Sequence, residues 1–113
     1  MDRIEQYRKI LHQSLSEQAL VMSKPDRITS TVIVSEDHNH FMVIIDGWDG
    51  KRHLHRLVFH AEFRNGQLWM HHDGIDRGIT EDLVAAGIPK EHVVLAFHSP
   101  EIRPHTGYAG GKR

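Results

Sequence analysis

Asn65-Gly66 is the strongest backbone signal in this chain. A type I′ turn needs positive φ at both central residues, and Asn-Gly supplies it at little cost. The pair predicts a β-hairpin, with a long strand from about Arg52 to Phe63 entering and a short one, Leu68 to His72, leaving. Asp73-Gly74-Ile75-Asp76 then leads into a compact helix, Thr80 to Ala86, which Gly87 and Pro89 stop. An apolar segment, Val93 to Phe97, reads as a return strand. Upstream, Gly47-Trp48-Asp49-Gly50 and Asp37-His38-Asn39 are turn signals. They separate the long strand from Phe41 to Ile45, and that segment from Ile28 to Val34. Three such short connections suit antiparallel neighbours, because parallel strands need a long crossover. The chain therefore reads as a single α+β domain, residues 1–113, with a mainly antiparallel sheet, a long N-terminal helix and a short helix before the last strand.

The N-terminal helix follows from Ile4, Tyr7, Leu11 and Leu15, which form one stripe at helical spacing, with Asp2 placed to cap it. In the strands, Ile28, Val32 and Val34 share one face, and the apolar run Phe41 to Ile45 suggests a strand covered on both faces or set against a partner. Leu57, Phe59, Ala61 and Phe63 alternate onto one face of the long strand. A strand of that length is expected to bend or bulge. Trp48 reads as a plug in its turn, with an exposed anchor as the alternative. Thr80 is placed to cap the short helix, and Ile79, Leu83 and Val84 to face the sheet. Residues 101–113 read as a partly flexible tail.

The chain has 11 histidines. His53 and His55, two apart on a strand, share a face and are a possible pair of metal ligands, while strand parity puts His60 opposite them and separates His71 from His72. Solvated or hydrogen-bonded histidines are the simpler reading, so no metal site and no cofactor is assigned. Asp73 and Asp76 would be the carboxylates of a metal-dependent nuclease, but aspartates in such turns more often bond the backbone. No nucleophilic triad, phosphate loop or dinucleotide motif is present, and no catalytic residue is assigned.

Composition narrows the function class. Lys plus Arg total 14 and Asp plus Glu 15, a formal charge of −1, so no strongly basic nucleic-acid surface is implied. Lys51, Arg52, Arg56 and Arg64 remain a candidate local DNA-contacting group. Cysteine is absent, no signal-peptide pattern opens the chain and no apolar run is long enough for a bilayer, which together suggest a cytoplasmic protein.

Several segments resemble the XisI family, the excision controlling factors of the cyanobacterial fdxN element. They are Tyr7-Arg8, the run Phe41 to Arg52, Leu68-Trp69-Met70-His71-His72-Asp73-Gly74, Gly78-Ile79, and the run Leu83 to His98. Arg103, Thr106, Tyr108 and Ala109 are similar to the family's end motif, whereas Gly110-Gly111-Lys112-Arg113 departs from the apolar residues expected there. The resemblance implies an α+β fold and a non-enzymatic regulatory role in DNA rearrangement, exercised with an XisH-like, nuclease-related partner through which DNA is reached. It identifies no catalytic residue. Asp73, Gly74, Asp76, Arg103, Thr106 and Tyr108 are the expected partner-binding surface, and a homodimer is expected from the sheet's free edges.

Overall fold

A computed structural model describes residues 2–75 and 78–109. Helix α1 spans Arg3–Met22 and is followed by β1 (Ile28–Val34), β2 (His40–Asp49), β3 (Arg52–Arg64), β4 (Gln67–Asp73), α2 (Thr80–Ala86) and β5 (Val93–Leu95). The sheet order is β1-β2-β3-β4-β5. The first three pairings are antiparallel, as their short turns require, and β4 to β5 is parallel, reached through the crossover helix α2. Among the described residues no helix is long and apolar enough to cross a membrane.

Each element follows from its residues. Asp2 Oδ1 accepts the Glu5 N–H at 2.9 Å and so caps α1. Tyr7, Leu11, Leu15 and Ala19, four residues apart, form the buried stripe that lies on the sheet. Asn65 and Gly66 both take positive φ, 54° and 75°, so the β3–β4 turn is the one their pairing dictates. α2 starts differently from expectation. Thr80 is its first residue rather than its cap, and the Asp73 carboxylate takes the capping role, with Oδ2 accepting from the Ile79 N–H at 3.2 Å and the Thr80 hydroxyl at 3.4 Å. β5 ends at Leu95, short of Phe97, because the chain turns back through the His98 N–H to Leu95 carbonyl bond.

Both helices lie on one side of the sheet, and the core sits between them and Phe41, Val43, Phe59, Ala61, Phe63, Leu68 and Met70, all nearly or fully inaccessible to solvent. The opposite face of β2 is only half-buried at Met42 and Ile44, so the strand is covered on one face and not on both.

β3 contains an irregularity that re-aims half of its side chains. Val43 pairs with Phe59 and Ile44 with Leu57, leaving Val58 as the extra residue of a β-bulge. Leu57 therefore leaves the face of Phe59, Ala61 and Phe63 and lies with Ile44 on the open face, 39% exposed. Even-numbered residues after the bulge and odd-numbered ones before it share that face.

Where β2 meets the start of β1, Gly47 has no room for a side chain. An added Cβ would lie 2.0 Å from the Arg27 carbonyl oxygen and 2.8 Å from the Ile28 Cα, both backbone atoms. Gly47→Ala is expected to cost about 3 kcal/mol, the upper range of single substitutions, in a urea titration. Gly50→Ala, whose added Cβ meets nothing within 4 Å, should cost only the positive-φ penalty of about 1 kcal/mol. Equal costs at the two positions would contradict this packing.

Candidate functional site

The uncovered sheet face carries two clusters of histidine side chains with an apolar strip between them. Cross-strand pairing builds the first. Asp46 stands opposite His55 and Trp48 opposite His53 at the β2–β3 end of the face. His53 Nε2 and His55 Nδ1 both lie 3.0 Å from Asp46 Oδ1. The bonds from His55 and His53 hold the Asp46 carboxyl below the usual carboxylate range. Trp48 is 55% exposed and stacks on His53 with ring centroids 4.7 Å apart, so of its two readings the exposed one holds and the plug does not. Its position inside β2, in register with His53, is what turns it outward.

The second cluster exists because of the bulge. His60, expected on the face opposite His53 and His55, shares their face, since the extra residue at Val58 reverses strand parity. His40 Nδ1 and His60 Nε2 are 3.0 Å apart, a contact that needs one proton between two nitrogens. A second register shift, at His71 in β4, brings His71 Nε2 to 2.9 Å from Glu62 Oε1 and its ring to 4.9 Å from that of His60. Regular parity alone does not anticipate this grouping. Burial, then His71 and His40, push the His60 imidazole below its ordinary range, with Glu62 opposing. Burial pushes the Glu62 carboxyl up, but the His71 hydrogen bond and the charges of Arg64, His40 and His71 outweigh it and hold the group low.

The residues expected to bind a partner fall around the β4–β5 end of the sheet but not on one face. Asp73 stands opposite the core residue Phe59 and is turned toward α2. Gly74 N–H donates to the Val58 carbonyl at 2.7 Å. Arg103 lies over the Trp69 ring, on the face of Glu62, and donates from Nε to the His98 carbonyl and from Nη2 to the Ala96 carbonyl. Thr106 Oγ1 donates to the Arg103 carbonyl and accepts the Tyr108 N–H. Tyr108 packs against the helix-side core, with Lys90 Nζ 5.6 Å from its ring centre, and burial followed by the Glu81 charge raises its hydroxyl above the ordinary range. Residues 103–109 thus wrap the β5 edge, where the Ala109 N–H bonds the Val93 carbonyl at 2.8 Å. Asp76 and the last four residues, 110–113, lie outside the described residues.

The candidate DNA-contacting cations divide between the two faces. Arg56 lines a groove beneath the end of α1, together with Val21, Ile45 and Leu54. Arg64 lies over Trp69 on the open face, 3.8 Å from the ring centre. Lys51 is in the β2–β3 turn and Arg52 opens β3, both exposed. Asp46 and His40 carry no local sequence signal that marks them as parts of a site. The available signal was the register, which the length of the β2–β3 turn sets, applied to the two-residue spacing of His53 and His55.

Stability should follow the protonation of the second cluster. Unfolded His60 takes up a proton near pH 6.5, while the folded group resists it, so the unfolded state gains protons first and stability falls as pH drops below about 6.5. Glu62, held low, stabilises the fold above its unfolded value and loses that contribution as pH falls through its lower folded value. Thermal melts by circular dichroism should show the melting temperature falling from about pH 7 to pH 4, and His60→Gln should flatten the upper part of that slope. A His60→Gln slope parallel to that of the unsubstituted protein would assign the proton elsewhere.

Comparison with known proteins places this architecture. The family model described as XisI protein matches residues 1–110. The crystal structure of a XisI-like protein from Anabaena variabilis ATCC 29413, at 1.30 Å resolution, superimposes with a TM-score of 0.85 and 26% identity, covering 95% of this chain and 98% of that one. The fdxN element excision controlling factor XisI from the same organism, at 2.19 Å, gives a TM-score of 0.79 and 27% identity over 97% of this chain and 100% of that one. No curated protein matches the chain.

Proposed function

This chain belongs to the XisI family, and on that premise we propose that it is a regulatory factor in DNA excision that works by binding another protein. The observation that carries the reading is the likeness, along nearly the whole of both chains, to a protein named as an excision controlling factor. The partner is an XisH-like, nuclease-related protein, and DNA is reached through the complex. The chain itself catalyses no step. Asp73, on which a metal-dependent nuclease reading relies, spends one carboxylate oxygen on the start of α2. Nor do the cations offer a continuous phosphate track, since Arg56 and Arg64 lie on opposite faces and the formal charge is −1.

Contact with the partner is made at the β5 edge. There the wrapping segment presents Arg103, Thr106 and Tyr108, and Asp73 and Gly74 lie at the end of β4. Tyr108 offers a ring with a polar tip and Arg103 a planar donor, both suited to a protein interface. A homodimer is the expected assembly of the free chain, with residues 32–34 of β1, beyond the Lys24–Ile28 bridge and the Ser30 N–H to Ser23 Oγ bond, as the available edge.

Co-purification with the XisH-like protein should yield a complex that Tyr108→Ala and Arg103→Ala weaken about tenfold or more, the usual scale of an interface anchor, with unchanged circular dichroism. Failure of the two folded, unsubstituted proteins to associate would sink the reading. In fluorescence anisotropy the isolated chain should bind duplex DNA weakly, and tight binding that falls steeply with salt would replace the partner-mediated reading with direct recognition. Light scattering should report twice the chain mass at micromolar concentration, and a monomer mass throughout would exclude the dimer.

A further inference from the structure

We propose that Asp46, His53 and His55 form a binding site for a divalent transition metal of the zinc class on the open face of the sheet. Their ligand atoms all lie within 4.8 Å of one another, and among the described residues this is the trio of such groups that converges in this way. A tetrahedral zinc ion with bonds of about 2.0–2.2 Å holds its ligand atoms about 3.3 Å apart. The two nitrogens are each already 3.0 Å from the carboxylate oxygen, so a small opening of the cluster admits the ion. Two imidazoles and one carboxylate favour zinc, copper or nickel over magnesium or calcium, which take oxygen ligands almost exclusively.

The geometry is built into rigid strands and not into a loop. His53 and His55 project from one face of β3 at two-residue spacing, and Asp46 faces them from β2 in direct register with His55. Trp48 stacks on His53 at an interplanar angle of 25°, and the His53 and His55 rings lie 28° from parallel with centroids 5.9 Å apart. These contacts orient the two rings with their nitrogens toward the same oxygen. On metal binding each neutral imidazole moves its N–H to the nitrogen facing solvent and turns a lone pair inward, so the ion takes the place of the two hydrogen bonds now made to Asp46. All three side chains are exposed, which leaves a fourth coordination position open to water or to a donor from another molecule. The site does not rest on the excision reading, and either can fail without the other.

Calorimetric titration of the full chain with zinc chloride near neutral pH tests the site. One saturable zinc ion per chain is expected, with magnesium chloride giving no heat of binding. His55→Gln and Asp46→Asn should each weaken zinc binding about tenfold or more, since one of three ligands is lost. His12→Gln, on α1 across the molecule, should leave it unchanged. Absence of saturable zinc binding, or equal affinity in the His55 and Asp46 variants and the unsubstituted chain, would overturn the assignment. Circular dichroism of the two variants should match that of the unsubstituted chain, because the replaced side chains are solvent-exposed.

Discussion

The bulge at Val58 is the constraint on which the open face depends. An extra residue in one strand of an antiparallel pair shifts everything beyond it by one pleat, which reverses the face to which each side chain points. Without it, a strand that buries Phe59, Ala61 and Phe63 would bury His53, His55 and Leu57 on the same side, against α1. With it, the histidines at both ends of β3 reach one surface while the core keeps its aromatic residues. The Val58 carbonyl does not go unpaired, since the Gly74 N–H reaches it at 2.7 Å from the end of β4. That bond needs Gly74, because an added Cβ there would lie 2.9 Å from the same oxygen. The bulge thus couples the middle of β3 to the turn that leads into α2.

A one-sided core has a consequence for function. The helices cover the face that supplies the apolar packing, and the hydrophobic effect drives only that side to closure. The other face keeps Ile44, Met42 and Leu57 in its centre and histidines, Asp46 and Glu62 toward its ends. The tail deals with one corner. Arg103 and Arg64 both lie over Trp69, which is 2% exposed in spite of standing on the open side. Flat guanidinium groups over an indole face shield it from water and are themselves partly covered, Arg64 Nε fully. The open face of this XisI-family chain is thus surface available to another molecule.

Most of the fold was legible in the sequence because it is encoded locally. Asn65-Gly66, the alternation within each strand and the stripe Tyr7, Leu11, Leu15 each specify their element with little help from the rest of the chain. What could not be read depends on pairing between elements. Parity placed His60 away from His53, because no local signal marks Val58 as the extra residue. Trp48 looked like a turn residue until β2 extended through it to Asp49. Thr80 carried a capping side chain in the right place, but Asp73, seven residues earlier, reaches the helix start first through the fold. Arg103 and Tyr108 were legible as ends of a motif, while their placement on opposite sides of the β5 edge follows only from how the chain turns after Leu95.

The most direct test is where the Leu57 side chain lies. Nuclear Overhauser contacts measured on methyl-labelled protein should link the Leu57 methyls to Ile44 across the open face and give none to Leu11 or Leu15 of α1. Contacts from Leu57 to α1 would mean that β3 runs without a bulge and that His53 and His55 do not share a face with His60. The open face as described would then not exist.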